Sequence, residues 1–291
     1  MKFKLSKDKY IVKRINELRL YRTIFILTLV LIVLNIYKSN WINIIGYIIL
    51  TLVITYFYNR FILSRNKESI LKELNPELFL NINIWESKLI LFKSKNRYNS
   101  ALINIASAYT YDGKYEEAGE VFEYLKNRKL SKNLKAVYLL RKAEWLFYTK
   151  KYDEVKAIKD DILCETESLS NEYKLSIISN LDMYISMINK DKKKLKLITE
   201  SLDKSDVNIN RVHSIYIKSL FFEESDNKYQ KMLAFEGGNL FIAREEFEDQ
   251  NITTKNNIKP EKHKFLKFFM ILVLIGQIIV VLIWYLNKKC L

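Results

Sequence analysis

The chain has 291 residues and a formal net charge of +15, with 49% hydrophobic and 28% charged side chains but only six glycines, two prolines and two cysteines. So few turn residues exclude a sheet protein with many corners and favour long helices joined by short polar turns. Cys164 and Cys290 stand far apart in unlike surroundings, which excludes a disulfide framework or a cysteine metal motif.

In chain order, residues 1–22 form a basic N-terminal segment, with eight Lys or Arg against Asp8 and Glu17. Residues 61–262, by contrast, hold 34 basic and 31 acidic side chains. The excess charge therefore flanks apolar segments, where it suits anionic lipid headgroups. It does not form a basic groove, so nucleic acid is not the expected partner.

Three segments have the composition of membrane spans. "TIFILTLVLIVLNIY" (Thr23–Tyr37) and "WINIIGYIILTLVITYFY" (Trp41–Tyr58) are separated by Lys38 alone among charged residues and predict a two-span hairpin over 23–60. "FFMILVLIGQIIVVLIWYLN" (Phe268–Asn287) predicts a third span within 265–287, after a linker at 251–264 and before a short tail at 288–291. Aromatic residues stand at the span ends, as interfacial belts require. The long basic region and the lack of a small-residue cleavage site argue against a signal peptide. Basic residues before the hairpin and after Tyr58 place the N-terminus and the middle of the chain in the cytoplasm and the C-terminus outside, an integral multi-pass arrangement. None of the spans carries an interior charge, so they read as anchors and not as a transport path.

The middle, residues 61–250, has helical periodicity. Asn75–Pro76 is a helix start and opens "PELFLNINIWESKLILF", in which "LNINIW" also reads as a strand. In "AYTYDGKYEEAGEVF" (Ala108–Phe122) the period breaks at Asp112–Gly113, where glycine is free to end one helix and turn the chain into the next. Small Ala106 and Ala118 allow two helices to approach, and Tyr109, Tyr115 and Phe122 fill the space between them. "KKYDEV" at 150–155 echoes "GKYEEA" at 113–118, with Lys150 in place of the glycine. Further hairpins are expected from Leu175–Ile188 with Leu195–Leu202 and from Val212–Phe222 with residues 228–233, and a helix over Asn239–Asp249 closes the stack.

Ala106, Tyr109, Gly113, Tyr115, Ala118 and Phe122 resemble the small–aromatic–glycine–aromatic–small–aromatic pattern of the tetratricopeptide repeat. The resemblance is clearest over 101–125 and weaker over 136–158, where Ala143, Leu146, Tyr152 and Val155 hold the matching places. It implies an all-α, TPR-like α-solenoid of helical hairpins, to which the transmembrane hairpin and the C-terminal transmembrane helix are added. An irregular all-α domain with one such hairpin is the alternative. The resemblance also implies a groove lined by the first helix of each hairpin: Ser100, Ile103, Ser107, Thr110 and Tyr111, then Val137, Leu140, Glu144, Phe147 and Tyr148.

Signals for chemistry are sparse. His213 sits in an amphipathic helix and His263 among lysines, adjacent acidic pairs such as Glu116–Glu117 diverge on a helix, and "EGGN" at 236–239 lacks the rest of a phosphate loop. No catalytic residue, metal site or cofactor is expected. The expected function is a membrane-anchored adaptor that binds a protein or peptide partner at the cytoplasmic face. The alternative is an integral accessory subunit of a transport, secretion or immunity complex.

Overall fold

The computed structural model describes residues 3–36, 66–88, 95–167, 169–222 and 228–244, with isolated positions between 49 and 64. Among them every regular element is a helix. The chain divides into two compact units, one of residues 1–6 and 67–258, the other of residues 7–66 and 259–291.

Within the second unit, α1 (Lys9–Ile36) corrects the expected membrane architecture. Among the described residues no helix is long and apolar enough to cross a membrane. The expected first span is the C-terminal half of α1, and the N-terminal half carries Lys9, Lys13, Arg14, Glu17, Arg19 and Arg22. The helix is capped by Asp8, whose Oδ1 accepts from the N–H groups of Tyr10 and Ile11 at 2.9 and 3.0 Å. Its buried positions, Ile11, Ile15, Leu18, Phe25 and Ile32, begin inside the charged half, while Leu20, Leu27, Val30 and Val33 are exposed. Burial thus follows one face of the helix, while its exposed face is itself partly apolar. The charge-free run 23–36 covers about 21 Å, short of a hydrocarbon core of about 30 Å. The transmembrane hairpin, the multi-pass localisation and membrane attachment through spans fall with it. The second expected span, apart from Ile49, Leu52, Val53 and Tyr56, and the third at Phe268–Asn287 lie outside the described residues.

The first unit is built of helical hairpins. α2 (Pro76–Ser87) starts where Asn75 Oδ1 accepts from the Leu78 N–H at 2.9 Å, with Pro76 in the first turn. The stretch "LNINIW" lies inside this helix. Asn81 and Asn83 donate to the carbonyls of Glu77 and Phe79, each at 2.8 Å, so their amides are satisfied without a strand. α3 (Lys95–Tyr111) and α4 (Tyr115–Lys126) form the first hairpin. α5 (Lys132–Tyr148) pairs with an arm split at Ile158 into α6 (Tyr152–Ala157) and α7 (Lys159–Thr166). α8 (Asn171–Ile188) and α9 (Lys192–Asp203) follow, then α10 (Asn208–Phe221) and α11 (Lys228–Glu236). α3 packs on α2, α4 and α5, α5 packs on α7 and α8, and α10 packs on α9 and α11.

Three of these hairpins turn in one way. Gly113, Lys150 and Lys190 have positive φ, 78°, 61° and 53°. In each turn the following N–H reaches the carbonyl five residues back: Lys114 to Tyr109 at 2.9 Å, Lys151 to Leu146 at 2.9 Å and Asp191 to Ser186 at 3.0 Å. A second bond, from Gly113 to Thr110, Lys150 to Phe147 and Lys190 to Met187, completes a Schellman closure at each. Fully buried Ala106, Ala118 and Ala143 let the helices close. Phe122 fills the gap between hairpins, with ring centroids 5.6 Å from Trp145 and 6.0 Å from Tyr138. The Trp145 indole donates to the Tyr115 carbonyl at 2.9 Å, tying the second hairpin to the start of α4.

Both chain-distant ends of this unit return to α2 and to the α3–α4 turn. Ser6 donates its N–H to Asn81 Oδ1 at 2.6 Å, and the Lys88 ammonium donates to the Phe3 carbonyl at 2.9 Å. Beyond α11 the chain turns at Gly237 and Gly238, and the Asn239 N–H donates to the Leu74 carbonyl at 3.0 Å. α12 (Phe241–Arg244) then rests on the α3–α4 turn. The expected helix over Asn239–Asp249 is described only as α12, because residues 245–249 lie outside the described residues.

Candidate functional site

The first helices of successive hairpins bring one polar cluster together. On α5, Arg141, Glu144 and Tyr148 share a face by their three- and four-residue spacing. Glu144 is 1% exposed, and its carboxylate accepts three bonds. Tyr184 of α8 donates at 2.6 Å, Arg141 Nη1 at 2.8 Å and the Tyr111 hydroxyl of α3 at 3.2 Å. Arg141 Nη1 also donates to the Tyr111 oxygen at 2.8 Å. Three side chains from three hairpins are thus locked by one buried carboxylate, whose charge is matched by a guanidinium and two hydroxyls.

Aromatic rings form one wall of the cluster. Phe147 lies 5.1 Å from Tyr184, and Tyr148 lies 6.4 Å from Tyr184 and 6.5 Å from Tyr216 of α10. His213 stands three residues before Tyr216, on the same face of α10. Its ring is 7% exposed, and among the described residues Nε2 has no hydrogen-bond partner.

The electrostatics follow from burial. Burial pushes the Tyr111, Tyr148 and Tyr184 hydroxyls up, and the nearby Glu144 charge adds to each, so all three stay protonated and able to donate. For Arg141 burial opposes the charge, but the Tyr111 and Glu144 oxygens outweigh it and hold the guanidinium firmly cationic. His213 is pushed down by burial, with Glu144 opposing and Arg141 adding, and it stays neutral near pH 7. The Arg141 side chain is 35% exposed, and among the described residues only Nη1 is bonded, which leaves the rest of the fork facing water.

The ten groove residues expected from the sequence are placed as follows. Tyr111, Glu144, Phe147 and Tyr148 meet in the cluster. Ile103 and Leu140 are buried in the apolar core, and the buried hydroxyls of Ser107 and Thr110 donate to their own helix at the Ile103 and Ala106 carbonyls, both at 3.0 Å. Ser100 and Val137 are half-buried and outside the cluster. Sequence reasoning missed Arg141, Tyr184 and His213. For Arg141 the signal was present, since it sits three residues before Glu144 on the proposed inner face. Tyr184 and His213 reach the site only through tertiary packing.

Among the described residues no three His, Cys, Asp or Glu side chains gather as a metal site. The cluster offers hydrogen-bond donors, one fixed cation and aromatic faces, the elements of recognition. No protein-family model, no curated protein and no solved structure matches this chain.

Proposed function

We propose that the chain is a TPR-like helical-repeat adaptor that binds a protein or peptide segment, without catalysis. The reading is carried by Arg141. A guanidinium fixed on one side by Glu144 and Tyr111 is pre-organised, while its side chain keeps 35% of its surface exposed. Arginine and tyrosine held in this way are the residues on which binding energy concentrates at interfaces. The recurring turn at Gly113, Lys150 and Lys190 supports the repeat reading, because it sets successive first helices side by side.

The test compares proteins that co-purify with the tagged full chain and with its Arg141→Gln and Tyr148→Ala variants, each checked for unchanged helix content. Selective loss of a partner from both variants supports recognition at this cluster. Equal recovery of every partner from all three removes it.

A further inference from the structure

The near balance of charge over residues 61–262 conceals a local excess, at the edge of the first hairpin away from the Gly113 turn. Residues 95–100 and 124–135 hold seven Lys or Arg and no Asp or Glu. The fold brings these two stretches together, because Asn99 Oδ1 accepts from Arg128 Nε at 2.7 Å and Asn99 Nδ2 donates to the Lys129 carbonyl at 3.5 Å. Asn99 is 1% exposed, so this bridge is fixed in the body of the hairpin. The first turns of α3 and α5 contain no acidic residue, so their dipoles add to the positive potential instead of being offset.

Arg128 is the built part of this edge. Its guanidinium carbon lies 5.3 Å from the Tyr98 ring centroid and 5.2 Å from that of Tyr124, and Nη1 donates to the Tyr124 hydroxyl at 2.8 Å. Two rings, a hydroxyl and a buried amide thus hold the fork in one orientation. Among the described residues Nη2 has no partner and no carboxylate neutralises the group, unlike Arg141, which Glu144 neutralises. Exposed Lys95, Lys129 and Lys132 likewise form no ion pair among the described residues, whereas Lys126 pairs with Glu123 at 3.6 Å. The positive edge is short. Glu165 takes Lys135 at 2.6 Å, and α8 opens with Glu172 in its first turn.

We propose that this edge is an interaction surface for a short acidic segment of a partner protein, whose side-chain carboxylates meet Arg128 and the three unpaired lysines. A fixed planar fork with a terminal nitrogen uncommitted suits a carboxylate, and the lysines beside it supply charge without demanding one geometry. Nucleic acid is less well matched. A duplex carries a phosphate charge about every 1.7 Å and gains its affinity from many contacts, and beyond α5 it would meet Glu165 and Glu172. The proposal rests on the adaptor reading for its premise that a protein segment is bound, and it adds a second place, since Arg141 lies further along α5.

The test uses the full chain and an end-blocked, fluorescently labelled decapeptide of alternating Glu and Asp, with fluorescence anisotropy read at physiological ionic strength. Wild type is expected to bind it, and Arg128→Gln and Lys95→Gln/Lys129→Gln/Lys132→Gln should each weaken binding at least about tenfold. The three lysines are exposed, so the triple variant reports on the surface even if Arg128→Gln disturbs the fold. Arg128→Lys keeps the charge without the fork and should restore only part of the affinity. Arg141→Gln, and Lys150→Gln/Lys151→Gln just beyond the other end of α5, should bind as wild type does. Failure of wild type to bind, an equal loss in the Lys150 and Lys151 variant, or tighter binding of a ten-nucleotide oligouridylate overturns the proposal. Loss in Arg141→Gln alone would also overturn it and move the peptide to the polar cluster. The expected pattern leaves the Arg141 co-purification test to stand or fall by itself.

Discussion

The Tyr184 hydroxyl donates to Glu144 Oε1 at 2.6 Å, joining helices whose partners lie 40 residues apart in sequence. With Tyr111 and Arg141 on the other carboxylate oxygen, this bond makes Glu144 the common acceptor of three hairpins. Replacing Glu144 by alanine strands a cation and two hydroxyls. The expected loss is about 2–3 kcal/mol in urea unfolding, at the lower end for a buried pair because Arg141 keeps water. Tyr184→Phe removes one donor and should cost about 1–2 kcal/mol. In a double-mutant cycle the two losses should be markedly less than additive, and full additivity would show that the bond carries no coupling.

Lys150 and Lys190 occupy positive φ, which costs an L-residue about 1–2 kcal/mol. Lys150→Gly and Lys190→Gly should each raise stability by about 0.5–1 kcal/mol after the added freedom of glycine in the unfolded chain is counted. Gly113→Ala should act in the opposite sense and more strongly, because it meets both the backbone strain and the Phe241 ring. Thermal midpoints of the three variants, measured side by side, test the assignment of these turns.

Two groups set opposed pH slopes. Burial holds His213 below its ordinary value of 6.5, so under acid conditions the unfolded chain takes up a proton that the folded chain refuses. Its contribution is therefore complete above 6.5 and declines as pH falls below it. Glu86 is pushed up from 4.5 to about 7 by burial, against the opposing charge of Arg97. Its folded form holds a proton that the unfolded chain has released, so its contribution declines as pH rises from 4.5 towards 7. Urea midpoints from pH 4.5 to 8 should lose the acid-side decline in His213→Asn and the other decline in Glu86→Gln. Unchanged slopes would show that neither group titrates as its burial requires.

Trp145 ties two hairpins through one indole N–H. Trp145→Phe keeps most of the packing against Phe122 but leaves the Tyr115 carbonyl without that donor. A loss of about 1–2 kcal/mol is expected, accompanied by faster amide exchange at the start of α4. A loss without the local exchange change would assign the effect to packing alone.

What was legible in the sequence was local. Asn75–Pro76 announces a helix start, and Gly113 announces a turn, because each acts through its own backbone chemistry. The same turn at Lys150 and Lys190 carries no glycine, so its geometry is set by the flanking helices and is invisible in composition. Tyr111 and Glu144 fell on the face expected to be functional. Arg141 was passed over, and the Tyr184 bond to Glu144 crosses 40 residues, which no spacing rule spans. The apolar run from Thr23 looked like a membrane span because a window of composition ignores the helix it belongs to. In α1 that run continues a helix already carrying six charges.

The bonds from Ser6 to Asn81 and from Lys88 to Phe3 have a consequence for how the protein is made. Phe3 and Ser6 belong to a body whose other members are translated some sixty positions later, so these residues must wait, unmatched, while residues 7–66 are synthesised. A fragment begun at Lys67 would lack both bonds. Attaching the opening hexapeptide directly ahead of Lys67 through a short flexible joint is the economical way to obtain the hairpin array whole.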